Sequence, residues 1–326
     1  MNAIEATLRG FIHVLSALGL LLLLWFANLV LTVPAALAVS EIVHQDIRHS
    51  EAADTLKQGF DLEWHSEFEH RNASDSQSPG LAATFDPRYL LGVSPQLANL
   101  ESWWSGGLFS RENPGMLLVS ALALGHGLLW TFLLGGILAR FENRSASRGL
   151  AEFSGACGQH FGPLLRLALL SAPLYWLLYL GGDRLMDVVG DWTTEATAQT
   201  AVLVWALPAG LFLAGLLLFT QWVFDYAKAA VVVERKGAFS ALGAAVATTL
   251  RRPFTTITIG LLHVLAFALL LFLWHLFGPG TEASSWTTVV LVFLASQLYI
   301  IARLGLRLSR IAAQLEVLRS SRGLRF

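Results

Sequence analysis

Residues 199–253 read QTAVLVWALPAGLFLAGLLLFTQWVFDYAKAAVVVERKGAFSALGAAVATTLRRP, and this stretch decides the architecture. It opens with apolar residues 200–220, about one membrane's width, because a helix needs roughly 20 apolar residues to cross a hydrocarbon core. The chain then turns charged at Gln221-Trp222-Val223-Phe224-Asp225-Tyr226-Ala227-Lys228. An amphipathic run follows through Arg235, Lys236, Arg251 and Arg252, and Pro253 opens the next apolar span. A span, a basic segment lying at the surface and a re-entry form a unit that recurs along the chain.

Working outward, five more spans are expected. They are residues 11–40, 116–139, 164–182, 254–277 and 286–302, which with 200–220 make six transmembrane helices. The first contains Asn28 and Pro34, and it ends in Pro34-Ala35-Ala36-Leu37-Ala38, which has the small-x-small look of a signal-peptidase site. Its apolar part is about twice a normal signal core, so it is read as a retained helix. Only 14% of the residues are charged and the mean hydropathy is +0.57, against about 25% charged in a soluble domain. The apolar runs are continuous, not alternating, which argues for an all-α integral membrane protein and against a β-barrel.

Sign segregation sets the expected orientation. With six spans and a cytoplasmic N-terminus, sixteen of the 22 Lys and Arg residues fall inside and seventeen of the 23 acids fall outside. Basic residues concentrate on the cytoplasmic side of membrane proteins, so N-in, C-in follows. The chain then divides into a first helix at 1–40, an acidic outer loop at 41–114, a five-helix remainder at 115–302 and a basic tail at 303–326. The outer loop spans 74 residues and holds twelve acids against five bases, for a net charge of −7.

The inner connections repeat a pattern. Leu150, Phe153, Cys157, Phe161 and Leu164 recur at helical spacing ahead of the third span, with Pro163 between them. Phe239, Leu242, Val246 and Leu250 do the same ahead of Pro253 and the fifth span. Both read as amphipathic helices lying in the plane of the cytoplasmic face. A third is expected after the last span, with Leu304, Leu308, Ile311, Leu315 and Leu318 on one stripe and Arg303, Arg307 and Arg310 on another.

Two stretches carry a family resemblance. Gly135-Gly136-Ile137-Leu138-Ala139-Arg140-Phe141, running on to Phe153, Cys157 and Leu165-Arg166-Leu167, is one; Asp225-Tyr226-Ala227-Lys228 is the other. Together, over residues 115–310, they resemble uncharacterised bacterial multi-pass membrane proteins, distantly similar to the membrane domain fused to some glycerophosphodiester phosphodiesterases. The resemblance implies a helical protein of the bacterial inner membrane. It implies no catalytic residues, because it concerns a membrane part and not a phosphodiesterase domain.

Ionisable and polar residues inside spans are candidate functional groups, since burying them in lipid is costly. His126 and His263 both fall near mid-depth of their spans, where they could form a proton relay or a substrate-binding pair, with Gln297 as a further polar group. Gln297 and Asn28 also suit interhelical hydrogen bonding. Asp225 and Lys228, three apart, can pair on one helical face and fix the exit of the fourth span. Arg166, near the start of the third span, can snorkel to phosphate headgroups. In the outer loop His65, Glu67 and His70 are candidate metal ligands, although a separation of five between the histidines puts them off a shared helical face.

Other chemistry is excluded by what is missing. There is no Gly-rich phosphate loop ending in Lys-Ser/Thr and no Gly-x-Ser-x-Gly, and the one cysteine, Cys157, rules out an intramolecular disulfide. No cofactor is implied. The basic residues suit anionic lipid headgroups on the cytoplasmic face better than nucleic acid, and the acidic outer loop offers a surface to a membrane-protein partner. Three functions remain. A non-catalytic scaffold, assembly or regulatory component ranks first, then a transporter or lipid-handling permease using His126 and His263, then an intramembrane enzyme.

Overall fold

A computed structural model describes residues 2–48, 114–142, 149–193, 199–278 and 286–321. Among them the secondary structure is helical throughout, in eight helices: α1 Ala3–Leu15, α2 Leu18–Arg48, α3 Pro114–Glu142, α4 Leu150–Thr193, α5 Gln199–Val233, α6 Ala238–Arg251, α7 Pro253–Phe277 and α8 Trp286–Ser321. Five of them (α3, α4, α5, α7 and α8) are long and apolar enough to cross a membrane, or up to six spans if α1 and α2 are counted together as one bent span.

Several boundaries differ from expectation. The first apolar stretch is two helices, separated at Ser16-Ala17, and α2 continues past residue 40 to Arg48. The in-plane helix expected ahead of the third span is not a separate element: α4 runs unbroken from Leu150 to Thr193, through Pro163 and Pro173. A proline withdraws one N–H and crowds one carbonyl, a local cost that the flanking turns of a long apolar helix can absorb. The segment after the fourth span likewise belongs to α5, and the basic tail belongs to α8. Of the three amphipathic segments expected on the cytoplasmic face, only α6 stands apart as a short helix, of 14 residues. Its end is set by Pro253, which takes the first position of α7, where a missing N–H costs nothing.

The chain packs as two units. The first comprises residues 1–13, 131–262 and 309–326, and within it α4, α5 and α6 pack on one another. Its core is built on the C-terminal third of α5. Val223, Phe224, Tyr226, Ala227 and residues 229–232 are all buried, joined by Ile137, Leu138, Leu167 and Ile259. Leu315 and Leu318 of α8 are buried there as well. The apolar stripe expected to lie on a membrane surface is packed against protein instead.

Close approach of α3 to α4 depends on glycine. A Cβ on Gly136 would stand 2.5 Å from Cys157 Sγ and 2.6 Å from the Phe153 ring, the small-residue packing that membrane helices use.

The second unit comprises residues 14–130 and 263–308. Leu21, Leu24, Trp130 and Leu304 are buried in it, while Val264, Leu265, Leu269 and Phe272 on α7 each leave more than half of their surface open. An apolar exterior of that kind suits lipid, not water.

Candidate functional site

The densest polar cluster of the first unit is built on α5. Gln221 and Asp225 are one turn apart on the same face, and Gln221 Nε2 donates to Asp225 Oδ1 at 3.2 Å. Lys228, three residues on, places its Nζ 3.1 Å from the same oxygen. From α4, the Tyr175 hydroxyl donates to Gln221 Oε1 at 2.9 Å, and its ring stacks on Phe224 with centroids 6.2 Å apart. From α8, an Arg310 terminal nitrogen lies 3.4 Å from Asp225 Oδ2.

The burial of these groups differs sharply. The Asp225 side chain is 8% exposed, and those of Lys228 and Arg310 are 32% and 31% exposed. One desolvated carboxylate therefore faces two cations that keep part of their hydration, and the cluster carries a surplus positive charge. Asp225 Oδ2 and Arg310 Nε are both buried without a hydrogen bond, so their contact is Coulombic and not a fitted fork. Burying a carboxylate is costly unless it is paired; here two cations, on α5 and α8, provide the pairing. The cluster holds no serine, threonine or cysteine and no second carboxylate. What it can do is tie α4, α5 and α8 together at one point.

A second set in the same unit closes the end of α3. Arg319 donates to the carbonyl oxygens of Phe141, at 3.1 Å, and Glu142, the last residues of α3. Cations there satisfy orphan carbonyls and oppose the negative end of the helix dipole. Glu316 orients this arginine at 3.3 Å and contacts His13 Nε2 on α1 at 3.1 Å. Thus α1, α3 and α8 meet at one five-residue junction.

In the second unit the polar groups are mostly uncharged. Trp25 Nε1 on α2 donates to Gln297 Oε1 on α8 at 2.9 Å. Trp130 Nε1 on α3 donates to Asn28 Oδ1 on α2 at 3.2 Å. The Arg307 guanidinium lies 3.9 Å from the Trp130 ring centroid and Arg303 lies 5.7 Å from that of Phe267, both within cation–π range.

The residues singled out from the sequence fall as follows. His126 is half-buried, with its ring 6.1 Å from that of Trp130. His263 is buried at 6% exposure and belongs to the same unit. Gln297 and Asn28 each bond to a tryptophan of another helix. Asp225 and Lys228 are in contact, with Gln221 one turn back on α5 and with Arg310 and Tyr175 as further members, from other helices, that sequence spacing does not reveal. His65, Glu67 and His70 lie outside the described residues, as does the rest of 49–113. Among the described residues no group of three metal-capable side chains comes together.

No protein-family model, no curated protein and no solved structure matches this chain.

Proposed function

We propose that this chain is a multi-pass protein of the bacterial inner membrane, with both termini cytoplasmic, acting as a non-catalytic scaffold, assembly or regulatory component. The Asp225 cluster carries the reading. Its members bond to one another across α4, α5 and α8, and no reacting pair is held among them. The same use of polar groups recurs in Trp25–Gln297 and Trp130–Asn28. The charge segregation along the chain supports the orientation, and the resemblance of residues 115–310 to a fused membrane domain without catalytic residues agrees with a supporting role. Its partners are then the bilayer, with anionic headgroups on the cytoplasmic face, and a membrane protein that meets the acidic 41–114 segment.

The test is reconstitution. The purified chain in proteoliposomes, without a partner, should move neither ions nor fluorescent lipid faster than empty vesicles. Movement would overturn the scaffold reading and favour a permease. His126→Ala with His263→Ala, two histidines of the second unit, should then abolish it if they form the path.

A further inference from the structure

α4 carries a long uncharged run with one interruption. Between Glu152 and Asp183 the only Lys, Arg, Asp or Glu is Arg166. It is exposed, and among the described residues it makes neither an ion pair nor a hydrogen bond. An unpaired charge on an apolar helix is costly, so what surrounds it is informative. Arg166 lines a groove of about 600 Å³ with Leu169 and Leu170 of α4 and with Gly237, Ala238, Phe239 and Ser240 at the start of α6.

The two walls of this groove differ in kind. One is apolar and open: Leu169 is 64% exposed and Phe239 is 77% exposed. The other is positive. Besides Arg166 it includes the first turn of α6, whose N-cap, Gly237, supplies no side-chain acceptor. The Ser240 hydroxyl bonds to the Gly237 carbonyl, leaving early backbone N–H groups of α6 without an acceptor inside the helix. A cation beside an open apolar wall matches an anionic amphiphile: phosphate on the arginine, acyl chain along Leu169, Leu170 and Phe239. Basic pockets between membrane helices bind anionic headgroups on the same grounds.

We infer that this groove is a binding site for an anionic phospholipid of the surrounding bilayer, with Arg166 as the phosphate ligand. The site stands apart from the Asp225 cluster; it rests on the membrane placement proposed above but not on the scaffold role.

The experiment is native mass spectrometry of the full chain, released from nanodiscs containing equal parts phosphatidylglycerol and phosphatidylcholine with identical acyl chains. The wild type should retain phosphatidylglycerol preferentially. Arg166→Gln should lower that preference about tenfold, the loss expected for one charge-assisted hydrogen bond. Arg166→Lys should keep most of it, and Phe239→Ala should weaken retention of both lipids. Arg251→Gln, which removes an exposed arginine that does not line the groove, should change nothing. Unchanged preference in Arg166→Gln overturns the site, as does equal retention of the two lipids by the wild type. Displacement of the lipid by millimolar inorganic phosphate, with Phe239→Ala without effect, would make it a phosphate site and also overturn the proposal. Circular dichroism of each variant verifies the fold, and Arg166→Lys keeps the test decisive if the neutral variant misfolds.

Discussion

The two units hold their helices by opposite electrostatic means. In the first, carboxylates are taken out of water and held by their neighbours: Asp225 lies between Lys228 and Arg310, and Glu316 between His13 and Arg319. In the second, indole N–H groups donate to side-chain amides, and guanidinium groups rest on aromatic faces. Desolvated charges are strong when complete and costly when one partner is lost. Neutral bonds are worth less, and their loss leaves less behind. The first unit should therefore be brittle to single substitutions and the second tolerant.

The sharpest break is Asp225→Ala. It leaves Lys228 and Arg310 facing each other with no carboxylate and leaves the Gln221 amide without its acceptor. Removing one partner of a buried pair costs about 3–5 kcal/mol. Reversible unfolding in detergent should show a loss of that order. Asp225→Leu combined with Arg310→Met should recover much of it, because replacing a whole buried pair by apolar residues is often close to neutral. A loss in Asp225→Ala of less than about 1 kcal/mol, as for an exposed pair, would remove the contrast between the units.

Glycine substitutions sharpen the same contrast by sterics. In Gly136→Ala the new Cβ meets Cys157 Sγ at 2.5 Å and the Phe153 ring at 2.6 Å, so α3 and α4 must separate or the ring must turn. Overpacking of this kind costs about 1–3 kcal/mol. Gly158→Ala, on the same α4, meets nothing within 4 Å. Replacing a helical glycine by alanine there should be neutral or stabilising by up to about 1 kcal/mol. Thermal unfolding of the two variants side by side separates packing from propensity; equal shifts would mean that α3 and α4 are not in close contact.

How far the sequence reaches depends on the range of the interaction. The apolar windows around 116–139, 254–277 and 286–302 correspond to α3, α7 and α8, since hydropathy and helix length are properties of a single segment. Asp225 and Lys228 could be paired from a spacing of three on one helix. Arg310 could not, because it reaches Asp225 from α8, far along the chain, and no periodicity encodes which helices meet. Amphipathic stripes are ambiguous for a related reason. Leu308, Leu315 and Leu318 show the same pattern whether they face a bilayer surface or a protein core, and here they are core. The elbow at Ser16-Ala17 is equally illegible, because neither of those two residues is a helix breaker. Pro163 misled in the other direction, as a breaker that α4 passes through.

The smallest expected effect lies in the second unit. Gln297→Leu removes the acceptor of Trp25 Nε1 while keeping most of the side-chain volume. Interhelical hydrogen bonds within membrane proteins average about 0.6 kcal/mol in double-mutant cycles, because the unfolded helices also find partners. Gln297→Leu should therefore cost well under the loss in Asp225→Ala. Trp25→Phe, which deletes the donor, should bring the coupling between the two positions to about that 0.6 kcal/mol. The cycle requires the wild type, both single variants and the double variant unfolded under one condition, so that cavity and propensity effects cancel. A coupling as large as that between Asp225 and Arg310 would make Trp25–Gln297 part of a buried polar network instead of an isolated bond. The attention now on the charged cluster would then shift to the mid-helix tryptophans, with His126 beside Trp130 the first of their neighbours to substitute.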